Sequence, residues 1–162
     1  MEISFKSIGI ILTPYKDDAP FQPIESETEN FKVEVEEQYI SGLEELSKFR
    51  YIYIIYFMNK VSKEVHMEAT PPWANGKQVG LFASRSPSRP NPIGISIVKL
   101  LRIEGNTLFT SGLDVLNGTP LIDIKPYIRD LDSKEDANYG WLDDLEYRDH
   151  LILHIKGIPH DY

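Results

Sequence analysis

The sequence predicts a mainly β protein: an antiparallel β-barrel with a few short helices. Short segments rich in β-branched and aromatic residues follow one another, separated by brief turns rather than by long helices. Glu104-Gly105-Asn106 is a good hairpin signal and Asn117-Gly118 a second strong turn signal, because Gly and Asn tolerate the positive φ of tight turns. The chain has no strand–GxGxxG–helix unit, so a Rossmann nucleotide site is not expected.

Length and composition fit one domain with its own core. The chain has 162 residues, of which 41% are hydrophobic and 26% charged, as in ordinary globular proteins. It has no cysteine, which excludes disulfides, a thiolate nucleophile and a zinc–thiolate site. The longest apolar run, Tyr51–Met58, is far shorter than the roughly 20 residues that span a bilayer, and the first residues lack the cationic start of a signal peptide. We therefore expect a cytoplasmic protein.

The charge is unevenly distributed. The formal net charge is −8, yet residues 77–129 hold seven Lys and Arg against three acids, a net of +4, which leaves −12 for the rest. A cationic region on an acidic body can still attract an anionic substrate. The alternative is that these are solvated charges of both signs.

In the amino-terminal half, β-branched and alternating residues predict strands over Ile3–Leu12, Phe31–Val35 and Arg50–Met58. The Ser41-Gly42-Leu43-Glu44 capping-box spacing predicts a short helix through about Phe49. Lys63–Glu68 is a candidate for a further strand.

The carboxy-terminal half continues the strand pattern and ends in a polar tail. Strands are predicted at Val79–Ala83, Ile93–Glu104, Asn106–Leu113, Leu121–Ile124 and Leu151–Lys156. A helix is predicted over Trp141–His150. His150 and His154 would share one face of a helix, but the alternation after Leu151 favours a strand, so we predict no metal site there.

The run Gly80–Ser96, GLFASRSPSRPNPIGIS, carries the clearest functional signal. Three prolines in six residues exclude a helix and make a stiff, extended loop. Such a loop can hold the guanidinium groups of Arg85 and Arg89 against an anionic ligand. The alternative is a rigid surface turn with solvated arginines.

A second run, LDVLNGTPLIDIKPY, covers Leu113–Tyr127. In an extended segment Asp123, Lys125 and Tyr127 alternate, so they would share one face. A carboxylate, an ammonium and a phenol together can bind a polar ligand or transfer a proton. An ordinary surface ion pair beside a half-buried tyrosine is the alternative, and by base rates the more common case.

These two runs, together with Ser7–Lys16 and Gln22-Pro23, resemble the TsaA-like family, also called TrmO. The three blocks match in order and in rough spacing from about Ile8 to Tyr127. The resemblance implies a non-Rossmann β-barrel methyltransferase that uses S-adenosyl-L-methionine and acts as a homodimer. It further implies methylation of the exocyclic nitrogen of threonylcarbamoyladenosine, next to the anticodon in tRNA. Residues 1–129 would form the catalytic barrel, and 130–162 an extension packed on it.

Each part of this reaction has candidate residues. Adenosylmethionine is expected to contact Phe82, Ala83, Ser84, Arg85 and Leu121. The substrate is expected to contact Tyr15, Gln22, Arg85, Arg89 and Asn91. The reacting nitrogen must lose a proton, and Asp123, or Tyr127 beside Lys125, could accept it.

One segment departs from the family pattern. Ala69-Thr70-Pro71-Pro72-Trp73 stands where an arginine-rich stretch is common in the family, and Trp73 could stack on a base or pack at a dimer interface. Two alternatives therefore stay open: a methyltransferase of this fold acting on another RNA or on a small metabolite, and a non-catalytic module that binds adenosylmethionine or RNA.

Overall fold

A computed structural model describes residues 1–21, 23, 28–62, 64–145, 149–156 and 158. Its centre is an antiparallel sheet of six strands that curls and closes into a barrel, in the order β1-β2-β7-β6-β3-β8 with β8 pairing back onto β1. The strands are β1 Gly9–Leu12, β2 Lys32–Val35, β3 Tyr51–Phe57, β4 Glu68–Ala69, β5 Val79–Gly80, β6 Ile93–Glu104, β7 Thr107–Thr110 and β8 Thr119–Pro126. β4 and β5 form a separate two-stranded ribbon. The predicted fold class is confirmed.

The alternation of the strands decides which side chains fill the barrel. Along β3, Ile52, Ile54 and Tyr56 point inward and are buried, whereas the residues between them face outward. Val98 and Leu100 of β6 join them in the core, with Val33, Leu108 and Leu121 from other strands. Because cross-strand partners share a face, the inward and outward sets continue onto β8.

The helices are short. The α-helices are α1 Arg129–Asp132 and α2 Asp149–Ile155. Turns of 3-10 helix lie at Glu37–Leu43, Leu46–Lys48, Pro72–Ala74, Leu81–Ala83 and Gly140–Asp144. No helix in the described part of the chain has the length and apolarity that a membrane crossing requires.

Several predicted elements are corrected in the amino-terminal half. β1 begins only at Gly9, because β2, its partner, offers four residues for pairing. The helix predicted over Ser41–Phe49 is wrong: Ser41 lies inside a 3-10 helix, which ends where Glu44 is extended and Glu45 left-handed. The strand predicted at Lys63–Glu68 reduces to Glu68, which begins β4, while Lys63 lies outside the described residues.

The carboxy-terminal half needs similar corrections. The strand predicted over Val79–Ala83 ends at Gly80, because β4 pairs with only two residues. Gly140–Asp144 and α2 replace the helix predicted over Trp141–His150. The strand predicted over Leu151–Lys156 is wrong: Leu151 and His154 are buried while Ile152 is 41% exposed, which is helical spacing rather than alternation.

Candidate active site

The loop between β5 and β6 is held together by one of its own arginines. Nη1 of Arg89 donates hydrogen bonds to the carbonyls of Leu81 (3.4 Å), Ser84 (3.0 Å) and Ser86 (3.4 Å). Its guanidinium carbon also lies 5.6 Å from the centre of the Phe82 ring. The prolines stiffen the chain from within, and Arg89 ties its backbone across the turn. A substrate contact by Arg89 would therefore use the remaining N–H groups of a side chain that already organises the loop.

The predicted cofactor residues sit on the turn that Arg89 secures. Ser84 Oγ donates to the Leu81 carbonyl at 2.8 Å, so this hydroxyl shapes the turn. Phe82 is 75% exposed, an unusual position for a phenyl ring on a rigid turn. Arg85 is exposed as well. The turn thus offers an aromatic face and a cation from a backbone that is already ordered.

Behind this loop lies a chain of polar groups that reaches into the barrel. Ser96 Oγ donates to Asp114 Oδ1 at 3.2 Å and lies 3.1 Å from the Tyr56 hydroxyl. Since a serine hydroxyl has one hydrogen, Tyr56 is the donor in the second bond. Gly94 leaves room for the Tyr56 ring, which a β-carbon at that position would overlap.

Asp114 is the electrostatic centre of this cluster. Burial raises the pKa of its carboxyl, against the hydrogen bonds from its own backbone and Ser96 and the charge of Arg85. Burial, and then the nearby charge of Asp114, raise the pKa of both Tyr15 and Tyr56. Arg85 and Tyr15, two predicted substrate residues, therefore lie within the electrostatic range of this half-buried carboxyl group.

A surface hollow adjoins this cluster. It has a volume of about 580 Å³ and is lined by Tyr15, Asp18, Ala19, Pro20 and Phe21. Tyr15 thus has Asp114 in its electrostatic environment and also borders a space that a ligand could enter. Gln22, the other substrate residue predicted in this segment, lies outside the described residues.

The predicted catalytic residues lie on the other face of the sheet. Asp123 pairs across β8 and β3 with Ile55, and Lys125 pairs with Tyr53, both outward positions. Lys125 Nζ lies 2.8 Å from Asp123 Oδ2, and the Ile124 N–H donates to Asp123 Oδ1 at 2.9 Å. Tyr127 packs against Tyr53, with ring centres 5.6 Å apart. The predicted sharing of one face by Asp123 and Lys125 is confirmed, and that face is turned away from Asp114.

The two remaining predicted binding residues, Leu121 and Asn91, differ in burial. Leu121 is fully buried, and its carbonyl accepts from the Ile8 N–H at 2.9 Å and from Ser7 Oγ at 3.2 Å. Because its side chain fills the core, the predicted contact of Leu121 with adenosylmethionine would have to come from its backbone. Asn91 is exposed, and its carbonyl accepts from the Ile93 N–H at 2.7 Å where the loop enters β6.

Trp73 packs within the chain. Its ring centre lies 5.3 Å from that of His154, whose Nε2 is 3.1 Å from Nε2 of His150 one helical turn away. The two histidines share a helix face after all, because α2 replaces the predicted strand. In the described residues, no group of three or more metal-ligating side chains forms around them.

The residues that sequence analysis missed are Asp114, Ser96 and Tyr56. Ser96 and Tyr56 occupy inward positions of β6 and β3, where the neighbouring inward residues are Gly or apolar. A hydroxyl at the inward phase of an apolar strand was the available signal, since buried polar groups need partners. Asp114 carried no such signal, because it follows a strand in an irregular segment.

The closed barrel, the proline-rich loop that carries Arg85 and Arg89, and strand β8 with Asp123 and Lys125 together characterise a class of β-barrel proteins. Comparison with known sequences and structures identifies that class. The sequence model of the tRNA-methyltransferase O N-terminal domain matches residues 10–133. The chain belongs to this TrmO family.

Individual relatives agree. A probable S-adenosyl-L-methionine-binding protein of Pyrococcus abyssi is 39% identical over 87% of this chain and 77% of its own length. A tRNA (adenine(37)-N6)-methyltransferase of Mus musculus is 41% identical over 63% of this chain but only 23% of its own. The crystal structure of TrmO from Pseudomonas aeruginosa superimposes with a TM-score of 0.69 at 30% identity. The alignment covers 86% of this chain and 62% of that one, so this chain spans less than two thirds of the solved protein.

Proposed function

We propose that this protein transfers the methyl group of S-adenosyl-L-methionine to the exocyclic nitrogen of threonylcarbamoyladenosine in tRNA, beside the anticodon, in the cytoplasm. Membership of the TrmO family supports the class of reaction, and relatives bear the names of adenosylmethionine-binding proteins and of tRNA adenine-N6 methyltransferases. The observation on this chain that carries the proposal is that Arg85 and Tyr15 both lie within the electrostatic range of Asp114 and that Tyr15 also lines a surface hollow.

The turn Leu81–Arg85 fits adenosylmethionine. The exposed Phe82 ring offers a stacking face for a purine, and the turn is already ordered by Arg89. Phe82, Ala83, Ser84 and Arg85 include no carboxylate. That suits a sulfonium whose positive charge disappears during transfer, because a nearby carboxylate would favour the charged ground state. When bound, adenosylmethionine supplies an electrophilic methyl group.

The protein's contribution is to hold the substrate and remove a proton. Arg85 pairs with an anionic group, a phosphate or the threonyl carboxylate, and the charge of Asp114 attracts Arg85 from the protein side. Asp123 or Tyr127 accepts the proton that the nucleophilic nitrogen loses, and Lys125 stands beside the carboxylate at 2.8 Å. Most of the acceleration then comes from positioning an in-line displacement.

A homodimer completes this arrangement. Asp123 lies on the outer face of β8, whereas Asp114 is hydrogen-bonded to Ser96 at an inward position of β6, so a single chain does not bring both carboxylates to one ligand. The outer face of β3 and β6 exposes Tyr51, Phe57, Ile93, Ile95 and Ile97, an apolar patch of the kind that marks interaction sites. A second copy of the chain packed on this face would bring its own loop between β5 and β6 towards Asp123 of the first copy. Sedimentation of a stable and active monomer would contradict the dimer.

A second candidate keeps the fold and the cofactor but changes the substrate to another RNA or a small metabolite. The net charge of −8 and the lack of arginine in Ala69–Trp73 favour it, because tRNA binding depends on cationic surface.

The test is incubation with methyl-labelled adenosylmethionine and total tRNA from cells that lack such an enzyme, followed by nucleoside mass analysis. We expect the mass of threonylcarbamoyladenosine to rise by one methylene unit, and the gain to disappear with Arg85→Met. Cofactor binding by calorimetry without any methylated nucleoside would overturn the proposed substrate. It would leave the second candidate, or a binding module that does not catalyse transfer.

A further inference from the structure

The carboxy-terminal segment reaches back to the cofactor turn. Residues 134–162 lie beyond the part of the chain that matches the family model. In the 3-10 helix Gly140–Asp144, the indole Nε1 of Trp141 donates a hydrogen bond of 2.8 Å to the carbonyl of Ala83. Ala83 is the residue before Ser84 and the last of the turn Leu81–Ala83. The contact joins positions 58 residues apart in sequence.

A second contact joins the 3-10 helix Gly140–Asp144 to the residues just before β5. Lys77 lies just before β5, and its Nζ is 3.3 Å from Asp144 Oδ2 and 5.7 Å from the centre of the Trp141 ring. One short helix therefore holds both the approach to β5 and the end of the turn. Gly140 enters this helix with φ at +57°, a conformation that other residues adopt at a cost.

The two ties on the turn are complementary. Arg89 donates hydrogen bonds to the carbonyls of Leu81, Ser84 and Ser86, all from within the loop. Trp141 takes the carbonyl of Ala83 from outside it. Together the two side chains hydrogen-bond the carbonyls of four of the six residues from Leu81 to Ser86, which orders the backbone of the turn, and pre-ordering of a binding loop raises affinity.

We propose that Trp141 is a positioning residue that sets the affinity for adenosylmethionine by fixing the Ala83 backbone. This inference rests on the proposed function, and specifically on the assignment of the cofactor to this turn. Trp141 is half-buried and acts through the turn rather than on the reacting atoms. It makes the carboxy-terminal segment a working part of the cofactor site.

The chain supplies a matched control, since it has two tryptophans. Trp141→Phe deletes an indole N–H that makes a hydrogen bond and keeps an aromatic ring. Trp73→Phe deletes one that is buried without a hydrogen-bond partner among the described residues. The two variants thus differ in the one feature on which the inference depends.

The experiment is calorimetric titration of the whole protein and both variants with adenosylmethionine, with melting temperatures and methyl-transfer kinetics alongside. For Trp141→Phe we expect a Kd and a KM for adenosylmethionine raised about threefold to tenfold, the range of one net hydrogen bond, at unchanged kcat. For Trp73→Phe we expect the wild-type Kd. A purely structural role would lower the melting temperature and leave the KM-to-kcat ratio unmoved.

The outcomes separate the two proposals. If the wild-type protein binds adenosylmethionine and Trp141→Phe binds it with the same Kd, the role of Trp141 is overturned and the proposed function stands. The same holds if Trp141→Phe and Trp73→Phe weaken binding equally. Wild-type protein that gives no heat with adenosylmethionine would overturn the proposed function, and the inference with it.

Discussion

Asp123 and Asp114, two carboxylates from the run Leu113–Tyr127, have opposite environments in this structure. Asp123 stands on the outer face of β8, where its side chain is 42% exposed and pairs with Lys125. Asp114, nine residues earlier, is half-buried as a residue, accepts from Ser96, and lies within the influence of Arg85. The first is a group ready to meet a substrate from solution or from a partner. The second is enclosed by the protein and suits orientation of another side chain.

The comparison shows that burial and neighbouring charges give two chemically identical carboxyl groups different properties. Burial raises the pKa of the Asp114 carboxyl, because a charge removed from water is costly unless it is compensated. The Asp123–Lys125 pair is open to solvent, so it adds at most about 1 kcal/mol to stability. We expect changes on the outer face to affect catalysis more than folding, and changes in the buried cluster to affect both.

The largest effect is expected on the outer face. Asp123→Asn and Tyr127→Phe each remove one candidate proton acceptor, and the variant that lacks the true base should lose about 10²–10⁴ in kcat. The free energy of unfolding should change by less than about 1 kcal/mol, because both side chains are only half-buried and Tyr127→Phe keeps the ring that packs on Tyr53. Single-turnover methyl transfer and chemical denaturation measure the two quantities. Full activity in both variants would remove the outer face from catalysis.

A smaller effect, on folding, is expected in the buried cluster. Gly94→Ala places a methyl group where the Tyr56 ring lies, and it should destabilise the fold by about 1–3 kcal/mol because the core has no room to yield. Urea denaturation measures it. Gly42→Ala is the control, since a β-carbon there meets nothing within 4 Å. Equal stability of the two variants would mean that Tyr56 can move aside freely.

The smallest effect sharpens the contrast itself. Asp114→Asn removes the attraction to Arg85 and should weaken substrate binding about fivefold to tenfold. It also removes a buried charge, so stability near neutral pH should stay equal or rise.

The pH dependence of Asp114→Asn follows from the sign of the pKa shift. Folding raises the pKa of Asp114 above its ordinary 3.8, so the folded state holds that proton more tightly. As the pH rises from 3.8 through the raised pKa, the wild type should lose stability relative to Asp114→Asn, and the gap should then stay constant. Unfolding free energies across a pH series measure this gap. Parallel curves for the two proteins would refute the burial of Asp114.

Local pattern was enough to predict strands β3 and β6 of the barrel nearly to the residue. Ile93–Glu104 was predicted at its observed bounds, and Tyr51–Phe57 to within one residue at each end, because alternation and β-branching persist over seven or more residues there. The turns at Gly105 and Gly118 follow from the positive φ values that the structure places there, +60° and +81°. The short helices were missed, since a capping-box spacing or a brief alternation says little when tertiary contacts decide the local conformation.

Three features follow from local sequence: the fold class, the stiffness of the proline-rich loop that carries Arg85 and Arg89, and the common face of Asp123 and Lys125, because each depends on residues close together in the chain. Tertiary structure was needed to bring Asp114 within the electrostatic range of Arg85 and Tyr15, and to bring Trp141 to the Ala83 carbonyl. Those arrangements join segments up to about a hundred residues apart, and the physical reason is closure: antiparallel pairing of β8 with both β1 and β3 brings distant loops together in a way that no local pattern encodes.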